Sequence, residues 1–209
     1  MADRSEPLPR SATYRWLAQL LLCPPTRPEL LAYRSDDGLR FLAECTTFPA
    51  LKPLVQWITD EMAEGQDLDA LHDRIVRAYS RIFDMGGKHG ALPYASIYLS
   101  DSGRLFQQPA RDMAALLQEL DMRLPTDLKE PPDHLAVQLQ VMAELLDRAD
   151  QGDDLPLTPS EFLDRYVLTW LPQFAHRCEQ QRDPALIAET ARAALALGQD
   201  NAQAAQTAA

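Results

Sequence analysis

The 209 residues are 46% hydrophobic and 24% charged, a globular composition long enough for one substantial core or two small ones. A net charge of −11 argues against nucleic acid as a partner, because such a surface repels phosphates, and favours basic peptides or basic patches at long range. Eight glycines against sixteen prolines, with strings of Ala, Leu, Gln, Glu and Arg, predict helices separated by proline stops and exclude a run of β-strands.

Residues 11–23 place Tyr14, Leu17, Leu21 and Leu22 at helical spacing, with Ser11 as the expected N-cap and Pro24-Pro25 as the stop. Short helices are predicted over 28–33 and 38–45, and a longer one over 49–64 ending at Gly65. Residues 67–83 are strongly periodic, with Leu68, Leu71, Ile75, Ala78 and Ile82 three or four apart. The pattern breaks at 84–90, which holds Gly86, Gly87 and Gly90 around Lys88 and His89. Residues 93–99 then alternate with period two, placing Tyr94, Ser96 and Tyr98 on one side. No second strand exists to extend a sheet, so this reads as an extended loop packed on helices.

Helix returns over 107–122, with Met113, Leu116, Leu117 and Leu120 inward. A stiff breaker stretch at 124–132 precedes an amphipathic helix over 133–149, with a spine of Leu135, Leu139, Met142 and Leu146. Pro131 and Pro132 make the connection a hinge, and Asp133 suits the start of the helix that follows. Thr158-Pro159 opens a further helix through Trp170, which Pro172 kinks or splits. A last helix is expected over 184–197. The Gln- and Ala-rich 198–209 lacks an apolar stripe and reads as a frayed tail.

Cys23, Cys45 and Cys178 are scattered, with no CxxC, and read as buried or half-buried free thiols in a reducing compartment. Residues 1–10 lack the apolar core of a secretion signal, and stretches such as Leu20-Leu21-Leu22-Cys23 are too short to span a bilayer. The expectation is a cytoplasmic protein without stable membrane association. Histidines at 72, 89, 134 and 176 show no metal-ligand spacing, no GxSxG elbow occurs, and 86–90 lacks the spacing of a phosphate loop. Neither a bound metal nor a catalytic residue is therefore expected.

Three segments carry more than composition. They are Tyr79-Ser80-Arg81-Ile82-Phe83 followed by Ala91-Leu92-Pro93-Tyr94-Ala95-Ser96-Ile97-Tyr98; then Glu130-Pro131-Pro132-Asp133-His134-Leu135-Ala136; then Trp170-Leu171-Pro172-Gln173-Phe174. In this order they resemble the TorD family of cytoplasmic chaperones for exported molybdenum enzymes, over roughly the whole chain apart from its ends. The wording of the first two segments is most similar to the branch that serves trimethylamine N-oxide reductase.

That resemblance implies an all-α, two-lobed bundle, with an N-terminal lobe at 1–124, a hinge at 125–134 and a C-terminal lobe at 135–209. It implies a monomer or a domain-swapped homodimer. Its partner would be an apo-molybdoenzyme bearing a twin-arginine signal peptide, guarded from proteolysis and premature export while the molybdopterin guanine dinucleotide is inserted. No cofactor would be bound stably, and weak guanine-nucleotide binding is a family expectation. Dimethyl sulfoxide, nitrate or formate reductase are alternative clients, and a metal-dependent hydrolase built on Asp133 and His134 is the alternative from another class.

Within this reading Glu130 and Asp133 attract the guanidinium groups of the peptide, since arginine recognises carboxylates through charge-assisted bonds. His134 lies beside them, and for both Asp133 and His134 the competing reading is a cap and a structural hydrogen bond. Tyr94, Ser96 and Tyr98 form either one wall of a peptide groove or ordinary packing. Tyr79 and Phe83, at i and i+4, default to core and border the same groove.

Overall fold

The computed structural model describes residues 7–84, 90–125 and 128–208. Among them the regular structure is helical, and the single β-type pairing is an isolated antiparallel bridge between Tyr94 and His134. The fold is all-α, as the proline-punctuated sequence predicts.

Helix α1 (Arg10–Leu22) starts one residue before the expected Ser11, behind Pro9. Ser11 therefore lies inside the first turn, buried. Helices α2 (Arg27–Ala32) and α3 (Asp36–Cys45) are capped by Thr26, in a reciprocal box with Glu29, and by Ser35. Gly38 is required at the start of α3, because a Cβ there would lie 2.0 Å from the Ala32 carbonyl oxygen. Trp16 ties α1 to this pair, donating its Nε1–H to the Tyr33 hydroxyl at 2.7 Å and meeting the Phe41 ring edge-on.

A 3-10 turn (Pro49–Leu51) leads into α4 (Lys52–Glu61), so the predicted 49–64 helix is real but starts tighter. Helix α5 (Leu68–Tyr79) is capped by Asp67 and widens into a π-helical turn (Ser80–Asp84). The glycine-rich stretch with His89 falls at 85–89, outside the described residues.

Residues 95–99 are not extended: they form a short helix, α6 (Ala95–Leu99). Alternation over so few residues is compatible with a single helical turn, and contacts distant in sequence decide between them. Tyr94, Ser96 and Tyr98 consequently do not share one side of a strand.

Helices α7 (Gln108–Glu119) and α8 (Leu135–Asp150) follow, joined by a connector of which 126–127 lie outside the described residues. Helix α9 (Pro159–Phe162), capped by a Thr158–Glu161 box, runs into a π-helical turn (Leu163–Val167). Pro172 splits this region: Trp170 is the N-cap residue of a separate helix, α10 (Leu171–Glu179).

The last helix, α11 (Ala185–Ala208), runs well past the expected end. The segment read as a frayed tail is ordered helix through 208, and its small alanines allow close approach without a leucine stripe. Asn201 and Ala202 are buried, and Asn201 donates to the Tyr14 hydroxyl at 2.7 Å. Tyr14 in turn donates to the Leu197 carbonyl.

Helix α1 packs most extensively on α8, and α11 packs on α1, α4, α5 and α10. One contiguous core takes side chains from both sides of 125–134: Leu17 and Ile75 before it, Leu139, Trp170 and Ile187 after it. Cys45 and Cys178 are buried in it, whereas Cys23 at the end of α1 is exposed, contrary to its expected burial. Among the described residues no helix is long and apolar enough to cross a membrane.

Candidate functional site at the α6–α8 junction

The chain crosses itself where residues 93–95 meet 133–135. Leu135 donates its N–H to the Pro93 carbonyl at 2.8 Å, and Ala95 donates to the Asp133 carbonyl at 3.1 Å. This two-bond ladder fixes the start of α6 against the start of α8. The Glu130-Pro131-Pro132 run delivers the chain in a turn closed by the His134 N–H to the Pro131 carbonyl at 3.0 Å. Pro131 is buried and Pro132 half-buried.

His134, not Asp133, is the N-cap of α8: its Nδ1 accepts the Ala136 N–H at 3.0 Å. An accepting Nδ1 is unprotonated, so a neutral ring carries its proton on Nε2. Burial lowers its pKa from 6.5 to about 4, so the ring is neutral near pH 7. The Tyr94 ring meets it edge-on, with centroids 5.0 Å apart.

Asp133 is fully buried and caps the neighbouring helix: its Oδ2 accepts the Ser96 N–H at 2.7 Å. Two N–H groups at the start of α6 are therefore satisfied by one residue 37 positions away. Its Oδ1 is buried without a hydrogen-bond partner among the described residues. The cap expected of Asp133 exists, but on α6 rather than on its own helix. Ser96 is equally buried; its hydroxyl accepts the Gln107 N–H at 3.1 Å and its carbonyl accepts the Ser100 hydroxyl at 2.6 Å.

Glu130 and Tyr94 form the half-buried rim of the junction, with the Tyr94 hydroxyl donating to Glu130 Oε2. Of the residues expected to meet a ligand, these two present polar atoms near the surface, while Asp133, His134 and Ser96 act from behind them. Asp133 and His134 are each committed to a helix start, which does not match a nucleophile–base pair. Among the described residues no group of three or more His, Cys, Asp or Glu side chains is placed to hold a metal ion.

Tyr98 is half-buried elsewhere on α6, stacked on Trp170 at 5.4 Å, edge-on to Phe174 at 6.3 Å and covered by the Arg177 guanidinium at 4.8 Å. Desolvation raises its phenol pKa well above the ordinary value. The Trp170-Leu171-Pro172-Gln173-Phe174 segment thus supports α6 from below. Trp170 is itself held by Gln138 and the Tyr166 carbonyl, through its Nε1–H at 3.1 and 3.0 Å. Tyr79 is buried, donates to the Leu20 carbonyl and packs edge-on against Phe83 at 5.4 Å. Its bonds join α5 to α1 and are those of a core residue.

Three features escaped the sequence. Buried Gln138 on α8 carried no signal beyond a polar residue on an apolar face. Between α6 and α7, Phe106 adopts φ +59 with 61% of its surface exposed, and nothing in Arg104-Leu105-Phe106-Gln107 announces it. A cavity of about 410 Å³ also lies between α1, α8 and the connector, walled by Ala18, Leu22, Met122, Leu128 and Val137.

Comparison with known proteins supplies the context. A family model described as the nitrate reductase delta subunit matches residues 46–176, which includes the whole junction. The chaperone protein TorD of Vibrio parahaemolyticus is 30% identical over 177 residues, 82% of each chain. That of Vibrio cholerae is 32% identical over 198 residues, 92% of this chain and 90% of the other. A solved structure of a candidate redox enzyme maturation protein from Archaeoglobus fulgidus superposes with a TM-score of 0.53 at 17% identity. It covers 93% of this chain and 99% of that one, a likeness of fold alone. The family match across the core and the TorD relatives across most of the chain agree: this chain belongs to the TorD family, a family of maturation chaperones and not of enzymes.

Proposed function

We propose that this chaperone works in the cytoplasm on an exported molybdoenzyme, with trimethylamine N-oxide reductase as its client, and that it receives the client's twin-arginine signal peptide at the α6–α8 junction. The observation that carries this reading is the Tyr94–Glu130 pair, a carboxylate and an aromatic ring at the half-buried rim of a rigidly capped crossing. A guanidinium takes a carboxylate through charge-assisted bonds and stacks on an aromatic face.

Asp133 contributes from the interior. Its carboxylate holds the start of α6, so it positions Tyr94 rather than meeting the peptide. The chain's charge of −11 speeds encounter with a basic segment and makes association salt-dependent. Binding has to be reversible, which suits a dissociation constant of about 1 μM, roughly −8 kcal/mol. Contact with the enzyme body adds avidity. No bond is made or broken, and the client stays held while its cofactor is inserted.

Calorimetric titration with the signal peptide of a trimethylamine N-oxide reductase tests this, beside a Lys-Lys variant and the signal of a dimethyl sulfoxide reductase. Selective, salt-sensitive binding of the first supports the reading. Equal binding of both authentic signals removes the client assignment, and affinity indifferent to salt removes the electrostatic part.

A further inference from the structure

Helix α8 carries the junction at one end and an open cavity of about 670 Å³ at the other, roughly 20 Å away at ~1.5 Å per residue. The start of α1, the last turns of α8, the start of α9 and the end of α11 enclose it. Asn201 lines it from α11. That side chain is only 9% exposed, and its Oδ1 is buried without a hydrogen-bond partner among the described residues. An unpaired buried carbonyl costs free energy that a donor would return.

The orientation of the amide is fixed by its neighbours. Its Nδ2 donates to the Tyr14 hydroxyl at 2.7 Å, and that hydroxyl donates to the Leu197 carbonyl at 3.3 Å. Burial raises the Tyr14 phenol above its ordinary range, so the proton stays in place. Turning the amide over would set Oδ1 against an oxygen whose proton is already committed. Asn201 therefore offers the cavity an acceptor and not a donor.

The other lining residues set the class of donor. Met142 and Leu146 supply apolar surface, and Asp150 and Glu161 are exposed carboxylates. Neighbouring carboxylates are ion-paired, Asp147 with Arg15 and Asp153 with Arg148, whereas Asp150 has no such partner among the described residues. Helix α8 ends at Asp150, and the carbonyl end of a helix favours a cation. Arg10 is the one cation among the lining residues, and its guanidinium lies over the Phe48 ring, 5.6 Å from the centroid. The start of α1, which has no side-chain cap, pulls the other way and makes an anion the competing occupant.

We propose that this cavity binds a small aliphatic amine in its protonated form. An ammonium N–H donates to Asn201 Oδ1, the Asp150 and Glu161 carboxylates supply the opposite charge, and the hydrocarbon lies against Met142 and Leu146. The site does not depend on peptide binding at the junction.

The test titrates hexamethylenediamine, hexanediol and adipate, which share one carbon skeleton, into the isotopically labelled full chain, followed by NMR. The diamine should give saturable shifts at 10–11, 146–150, 158–161 and the Asn201 side-chain amide, with a dissociation constant of about 1 mM. Hexanediol should bind ~10-fold more weakly, and adipate should not bind. Asp150→Asn should weaken the diamine ~3-fold, and Asn201→Leu ~10-fold. Tyr14→Phe breaks the same Tyr14–Asn201 bond but leaves Oδ1, so it should keep diamine affinity within ~2-fold and separates ligand contact from folding. Equal binding of hexanediol, or tighter binding of adipate, overturns the amine assignment. Shifts spread over the acidic surface without saturation overturn the site, as does full affinity in both Asp150→Asn and Asn201→Leu. A loss in Tyr14→Phe as large as in Asn201→Leu overturns the role of Oδ1.

Discussion

The α1–α8 packing and the α6–α8 junction use the same long helix for different ends. Along its length α8 packs most extensively on α1 and contributes to the core side chains such as Leu139, Met142 and Leu145, all fully buried, so that stability there follows apolar area. At its first turn α8 meets α6 through Asp133 and His134, polar groups that are equally buried but valued for where they point. Apolar packing tolerates exchange of one hydrophobic residue for another of similar volume. A buried carboxylate that caps a helix 37 residues away does not. The first region sets how stable the protein is, and the second sets where Tyr94 and Glu130 stand.

Variants separate the two regions by size of effect. Leu139→Ala should cost about 2–5 kcal/mol, read by denaturant unfolding, because it removes buried methyl groups and leaves a cavity. A small loss there would mean that the packing of α8 is not the main source of stability.

Acid should act on the junction next. The folded pKa of His134 is about 4 against an ordinary 6.5, so unfolding takes up a proton between those values. Its contribution is complete above pH 6.5 and is lost as pH falls toward 4, in total about 3 kcal/mol. His134→Asn keeps a capping side chain and removes the titration, so its stability should be flatter across that window. An unchanged pH profile would place the loss at other groups.

Asp133→Asn preserves shape and an acceptor for Ser96 but removes the charge, and should cost about 1–2 kcal/mol, visible as a lower Tm. Smallest is Tyr14→Phe, at about 1 kcal/mol, because it deprives Asn201 and the Leu197 carbonyl of their partner. Its readout is hydrogen exchange at 198–204, which should quicken if that contact docks the end of α11.

These regions were also unequally legible in the sequence. Leucines three and four apart announced α5 and α8, since helical periodicity is local. The Trp170–Phe174 segment is visible as a motif, and the folded chain shows it packed under Tyr98. The junction was visible as a motif but not as a geometry. Asp133 reads as the cap of the helix it precedes, and only the folded chain shows it capping α6. Tyr94, Ser96 and Tyr98 alternate, yet α6 is helical because Asp133 satisfies its first N–H groups from outside. The end of α11 was read as frayed because alanine carries no stripe, and its contact with Tyr14 spans 187 positions.

The most direct test of the account pairs two single variants in two assays: peptide affinity by calorimetry and thermal unfolding, for Glu130→Gln and Asp133→Asn. The account predicts that Glu130→Gln weakens binding of the twin-arginine peptide while moving the Tm by less than about 2 °C, as for a substitution worth under about 0.5 kcal/mol. It predicts that Asp133→Asn lowers the Tm, with any loss of affinity following from a displaced Tyr94. Full affinity in Glu130→Gln, or an Asp133→Asn protein that keeps its Tm but no longer binds, would contradict the division between a contacting rim and a positioning interior.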